Sequence, residues 1–531
     1  MRPLRQMLPA VLAIGLMAQA AAAKTVSCDV CIYGGTSAGV IAAVQAAKLG
    51  KTVVIIEPGK HVGGLSAGGL GWTDIGNKAA IGGMAREFYR RLGQHYGKPE
   101  AWTFEPSVAE REFNRLLTEA KVPVYFQQRL ATVNKTGTRI GEMTMQTGDV
   151  FRAKMFIDAT YEGDLMAKAG VAYMVGREAN AVYGETLNGI RGTTPKHQFT
   201  VPVDPYVKPG DPASGLLPFV QPAALGEPGG GDKTVQAYNF RLCLTKNPAN
   251  RQPIDPPANY DPAQYELLGR YFEALAAAHK PITLKSLIKL DMVTAEKTDV
   301  NNNGAFSTDA IGMNRDYPDA DYATWDRIWA AHLDYTKGLL TYLATSPRVP
   351  PSVRTEMQSW GLCRDEFPDT GGWPHQLYVR EARRMISACV MTENHCRRRE
   401  IVADPVGLAA YNMDSHNGRR LVRNGSVENE GDVQVAPMSP YPIAYHAIVP
   451  KAEQCENLLV PVCLSASHIA YGSIRMEPVF MLLGQSAATA AALAIDDSVP
   501  VQKVDYPKLR ARLLAAQQIL EWPKPAAPDL K

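Results

Sequence analysis

The sequence predicts an α/β fold in which a parallel-sheet domain is interrupted by a large insert. Two observations predict it. Residues 28–57 run as apolar strand, glycine turn, small-residue helix and second apolar strand. The same alternation returns only at 457–494, after a stretch rich in Pro, Asn and aromatic residues. A chain of 531 residues that is 46% hydrophobic and 21% charged can bury enough core for two domains. The expected division is a discontinuous first domain over 24–174 and 441–500, an inserted domain over 175–440, and a C-terminal helix and tail over 501–531.

Residues 1–23 have the order of a secretory signal peptide: basic Arg2 and Arg5, an apolar core from Met7 to Ala18, and small residues Ala20 to Ala23. They predict a periplasmic or secreted protein. That core is too short to span a bilayer comfortably, and no later run reads as a transmembrane segment. A net charge of +3 is too mild to argue for a nucleic-acid partner, and Arg397-Arg398-Arg399 reads as a solvated face. Eight cysteines would permit disulfides in an oxidising compartment, with no connectivity legible; Cys28 and Cys31 read as ordinary residues of the first strand.

Cys28 to Tyr33 form the first strand, and Gly34-Gly35-Thr36-Ser37-Ala38-Gly39 the turn that leaves it. Gly34 suits a tight turn, and Gly39 lies where a side chain would hold the helix off the sheet. Ala42, Ala43, Ala46 and Ala47 keep that helix slim, Gly50 stops it, and Val53 to Ile56 lead to Glu57. This is the Rossmann-like dinucleotide fingerprint: the helix N-terminus meets a pyrophosphate and the acid accepts from a ribose. Thr36 occupies the second glycine position, where the backbone then approaches a phosphate less closely. The loop His61 to Gly71, with glycines at 63, 64, 68, 69 and 71, would let backbone amides pass close to a large planar ligand.

Short β segments at Val122 to Gln127, Gly141 to Gln146 and Lys154 to Ile157 end in Asp158-Ala159-Thr160. Such a return to the nucleotide-binding sheet resembles the glutathione reductase class of flavoproteins, where it packs near the adenosine of FAD. Near the other end, a strand from Asn457 to Leu464 is followed by a loop to Pro478 and an alanine-rich helix from Val479 to Ala494. With Tyr33-Gly34-Gly35-Thr36 at the start, the run Gly371 to Met385, and Ser473-Ile474-Arg475-Met476-Glu477-Pro478 at the end, the chain resembles the FAD-dependent oxidoreductase family. The resemblance covers nearly the whole mature chain and is silent on substrate. It implies FAD, contacted by Gly34, Gly35, Thr36, Ser37, Ala38, Gly39, Glu57, Gly63, Gly64, Ser66, Ala159, Thr160, Ser473 and Ile474. Ser465 and Ser467 stand where many of the wider class place an aspartate on the ribityl chain. In some relatives a histidine near the position of His61 bonds covalently to flavin; the spacing here differs by about one residue, so noncovalent FAD is expected.

In the insert, Pro202 to Pro228 and Asn247 to Pro262 read as surface loops, and helices are expected at Pro262 to Ala278, Tyr322 to Ala344 and Leu377 to Cys396. This is the natural substrate domain. Dehydrogenation by FAD sends a hydride to flavin N5 and needs a group that takes the accompanying proton. His468, just after the closing strand, is the first candidate base, with Arg475 and Glu477 beside it; His375, Arg380, Asp414, His416 and His446 follow. The expected partners are a small polar substrate, carbohydrate-derived compounds included, and a separate electron acceptor. The alternatives are a carbohydrate lyase or hydrolase that retains the nucleotide fold and a nicotinamide-linked dehydrogenase; Asp414-Ser415-His416 lacks the Gly-x-Ser-x-Gly elbow of a serine hydrolase. No metal site is expected.

Overall fold

The computed structural model describes residues 23–523, so the signal-peptide reading falls almost wholly outside it. The central sheet is built on β1 (Thr25–Tyr33), followed by α1 (Ser37–Lys48) and β2 (Val53–Ile56). Four more strands follow: β3 (Val124–Tyr125), β4 (Leu130–Thr136), β5 (Arg139–Met145) and β6 (Val150–Asp158). Their order is β3-β2-β1-β6-β5-β4. β1 pairs in parallel with β2, from Val30 opposite Val53 to Tyr33 opposite Ile56, and with β6 up to Tyr33 opposite Asp158. In this register three strands end level, so Gly34, Glu57 and Ala159 leave the sheet at one edge. In parallel α/β sheets that carboxyl edge is where ligands sit.

The chain between β6 and its return to the sheet contains α2 (Tyr322–Thr345) and β7 (Met413–Ser415) among several two- and three-stranded sheets. The chain then returns as β8 (Leu458–Leu459), which pairs in parallel with Phe156 and Ile157 of β6. α3 (His468–Ile474) and α4 (Glu477–Asp496) complete it. Only two residues of the expected closing strand pair, and the expected loop after it is largely the helix α3. α4 crosses α1 where Gly484 meets it: a Cβ there would stand 2.3 Å from the Ala38 carbonyl oxygen. Small residues in both helices permit that approach, and it fixes the α4 N-terminus beside the glycine turn.

Two expectations are corrected. Leu377 to Cys396 is not a helix: Arg384–Met385 pairs with Tyr173–Met174, and only Glu393–Cys396 is helical. Extended backbone sends successive side chains to opposite sides. Arg380 thereby reaches Asp309 while Glu381 reaches His468, and Arg383 and Arg384 find Asp164 and Glu178. A helix could not distribute four charged neighbours in that way. The second correction concerns apolar runs, since α4 is long and apolar enough to cross a membrane. It is instead the buried core helix, with Glu477 to Ala494 all inside. Among the described residues all eight cysteines are free thiols.

Candidate active site

The turn after β1 is shaped by steric necessity. Gly34 has φ +99°, and a Cβ there would lie 2.8 Å from the Thr160 nitrogen; one at Gly39 would lie 2.0 Å from the Gly34 carbonyl oxygen. Thr36 caps α1: its hydroxyl accepts from the Gly39 N–H at 3.3 Å and donates to the Ala159 carbonyl at 2.7 Å. The residue that departs from the glycine pattern therefore ties the helix start to the end of β6. Ser37 and Ala38 are buried in the first turn.

Glu57 accepts from the N–H groups of Gly35 and Gly59, each at 2.6 Å. Burial raises its pKa to about 7 against the opposing pull of those two amides and His61. Each carboxylate oxygen retains a lone pair for a ribose hydroxyl. A cavity of about 320 Å³ opens in front, lined by Gly34, Thr36, Glu57 and Thr160 on the sheet side and by Tyr322 and Trp325 of α2 on the other. The glycine turn, the helix N-terminus and the ribose acid all border this cavity, so the residues present fit an adenine dinucleotide.

The second glycine loop docks on the same turn. Gly63 donates to the Gly35 carbonyl at 2.7 Å. A Cβ on Gly64 would meet the Tyr161 hydroxyl at 2.2 Å and Thr36 Cα at 3.2 Å. Tyr161 accepts from Leu65 N–H and donates to Glu477, both at 2.8 Å, while Ser66 donates to the same carboxylate at 3.2 Å. Burial raises the Glu477 pKa. Glu477 thus anchors the loop to the first turn of α4, where an acid also suits the helix dipole. Ser473 is buried and donates to the Tyr411 carbonyl at 2.6 Å, and Ile474 is wholly buried beside it. These two therefore pack α3 and do not line the cavity described above.

His468 is 3% exposed. Its Nδ1 faces Glu381 at 2.8 Å and its Nε2 faces the Ser415 hydroxyl at 2.9 Å. The spacing is that of a serine, histidine and acid triad, yet Ser415 is 1% exposed within β7. The group ties α3 to β7. Arg475 donates to Asp414 Oδ2 at 2.8 Å, to Tyr378 Oη at 3.0 Å and to Gln236 Oε1 at 3.2 Å. Asp414 also stands 3.3 Å from His416 Nε2, whose Nδ1 is 2.9 Å from Asp309. Burial and Arg380 push the His416 pKa down, Asp309 and Asp414 push it up, and the net shift is upward.

His61 is held at both nitrogens, by Glu110 at 2.8 Å and Asp369 at 2.9 Å, and stacks on His375 with ring centroids 3.9 Å apart. Burial drives the His375 pKa down to about 3. His446 pairs with Asp404 and is 47% exposed, away from this network. Sequence reasoning missed Tyr378, Arg241, Asp299 and Asp309. Only Tyr378 had a legible signal, the density of charge in the stretch from Tyr378 to Met385 that it opens.

A family model for FAD dependent oxidoreductases matches residues 29–513. No curated protein matches the chain. Solved structures similar to part of it include the 3-ketosteroid-delta4-(5alpha)-dehydrogenase of Rhodococcus jostii RHA1, 15% identical over 27% of this chain and 48% of that one, with a TM-score of 0.20. Thioredoxin reductase of T. acidophilum is 21% identical over 31% of this chain and 39% of its own, TM-score 0.18. L-proline dehydrogenase of P. horikoshii is 14% identical over 30% of this chain and 59% of its own, TM-score 0.24. Each alignment spans less than two thirds of the solved chain.

Proposed function

The chain belongs to the FAD dependent oxidoreductase family, and from that premise we propose that it dehydrogenates a small polar substrate, carbohydrate-derived compounds included. The observation that carries this reading is the continuity between the two halves of the site. Glu477 reaches the glycine loop beside the nucleotide cavity, and two residues earlier Arg475 reaches Asp414 and Tyr378. Bound FAD supplies a two-electron sink that takes a substrate C–H hydrogen at N5.

The chain's own residues handle orientation and the remaining proton. A substrate hydroxyl that becomes a carbonyl loses its O–H proton as its C–H electron pair departs, so a base is required. We assign that role to His416, which lies between Asp309 and Asp414 and accepts the proton in its neutral form. His468, whose side chain is 3% exposed against 11% for that of His416, is then a positioning residue for β7. The hydrolase alternative draws less support, because Ser415 is enclosed and the residues around the turn fit a nucleotide. The order of residues 1–23 supports export to the periplasm or medium. The double engagement of His61 supports noncovalent FAD.

The absorption spectrum of the purified protein tests the reading. Flavin bands that bleach anaerobically on addition of a substrate are the expected result. A colourless active enzyme, or turnover that requires added nicotinamide cofactor, would overturn it.

A further inference from the structure

Beyond Glu477 lies a polar centre whose arginines do not line the cavity at the glycine turn. Three guanidinium groups surround the Tyr378 ring: Arg380 at 4.6 Å from its centroid, Arg241 at 5.5 Å and Arg475 at 5.8 Å. They come from three distant stretches of chain, and none is more than 5% exposed. Each has its own carboxylate: Asp309 for Arg380 at 2.9 Å, Asp299 for Arg241 at 2.7 Å and Asp414 for Arg475 at 2.8 Å. The centre abuts the second glycine loop, since a Cβ on Gly69 would stand 2.1 Å from the Arg241 carbonyl oxygen.

Pairing leaves a remainder. Arg241 Nη1, Arg380 Nε, Arg475 Nε and Gln236 Nε2 are buried donors without partners, and Asn239 Oδ1 is a buried acceptor without one. A buried polar group left unpaired is costly, and a cluster of them marks groups that await a ligand or water. The formal charges decide which ligand. The three guanidinium groups face three aspartates, two of which also face His416, so an anion would have to compete with carboxylates already in place. A hydroxyl group both donates and accepts, and can answer the unpaired N–H groups and the Asn239 oxygen without disturbing an ion pair.

We propose that this centre binds a neutral polyhydroxylated compound, a sugar or polyol, through the unpaired atoms of Arg241, Arg380, Arg475, Gln236 and Asn239. The proposal rests on the dehydrogenase reading and names its substrate class. Gln236 is the most discriminating residue. Its Oε1 accepts from Arg475 and from the His416 N–H at 3.1 Å, while its Nε2 is free. The substitution Gln236→Glu keeps the accepting oxygen and turns the free donor into an acceptor.

The test uses FAD-loaded full-length protein with two probe sets: neutral glucose, galactose and inositol, and anionic gluconate and glutamate. Thermal shift reports binding, and anaerobic bleaching of the flavin reports reaction. The expected result is stabilisation by at least one neutral probe, with the anions about tenfold weaker or worse. Gln236→Glu should retain FAD while losing most of that ligand-induced shift, each shift being read against the variant's own melting temperature without probe. Preference for an anion, failure of every neutral probe to shift the protein, or an unchanged response in Gln236→Glu would overturn the proposal. A purified protein without flavin would instead overturn the dehydrogenase reading, which keeps the two failures distinct.

Discussion

FAD affinity should rise with pH between 6 and 8, because the ribose acceptor Glu57 titrates in that window. Burial has lifted its pKa to about 7, and only the ionised form offers lone pairs on both oxygens once Gly35 and Gly59 have donated to them. A group with pKa near 7 is about one-tenth ionised at pH 6 and about nine-tenths at pH 8, so the apparent Kd should fall roughly tenfold across the interval. The sign follows from linkage: binding favours the deprotonated carboxylate and releases a proton. The raised pKa also favours the apo fold below the unfolded carboxyl pKa, and that contribution is lost as pH rises through about 7. In Glu57→Gln the affinity should become flat with pH. At pH 8 it should be about 10- to 100-fold weaker than wild type, since a hydrogen bond to a charged group is worth about 1.5–3 kcal/mol. Flavin fluorescence titration of apoprotein measures both. A wild-type Kd that is constant or rises with pH, or a Glu57→Gln variant that keeps the slope, would refute the assignment of Glu57 to the ribose.

Gly39→Leu places carbon where the Gly34 carbonyl oxygen stands, 2.0 Å from the new Cβ; the variant should remain folded by circular dichroism yet purify without yellow colour. His416→Gln should slow anaerobic flavin reduction by about 10²- to 10⁴-fold with FAD still bound, and wild-type reduction should accelerate as pH climbs past the ordinary histidine range, because His416 accepts a proton only when neutral. His468→Ala leaves Glu381 buried without its partner, so its main effect should be a loss of several degrees in Tm; an unchanged Tm with abolished reduction would return the base to His468. Acid precipitation should release the flavin to the supernatant, and colour retained in the pellet and lost in His61→Ala would show a covalent bond. N-terminal sequencing of exported protein should begin near Lys24; a mature chain starting at Met1 would remove the case for export.

The glycine turn and the helix start beside the cavity were legible because their constraints are local. Gly34, Gly39 and Glu57 are fixed by one turn, one helix start and one strand end, and sequence spacing reports all three. Even Thr36, the departure from pattern, is explained within four residues by its cap on Gly39. The polar centre around Tyr378 is assembled by tertiary contacts whose members are far apart: Arg241 with Asp299, Arg380 with Asp309, Arg475 with Asp414. No periodicity encodes such pairs. The misread helix at Leu377 to Cys396 shows the cost of relying on local preference, because Glu, Ala and Arg favour helix in isolation. Tertiary demand overrode that preference there, since Arg380 and Glu381 must face opposite ways to serve Asp309 and His468. The contacts of His468 are of the same long-range kind. Its position after the closing strand suggested a base, and in the fold its buried imidazole also joins α3 to β7. His416, one residue beyond β7, is held beside Asp414 and Asp309 by contacts that no local spacing could report.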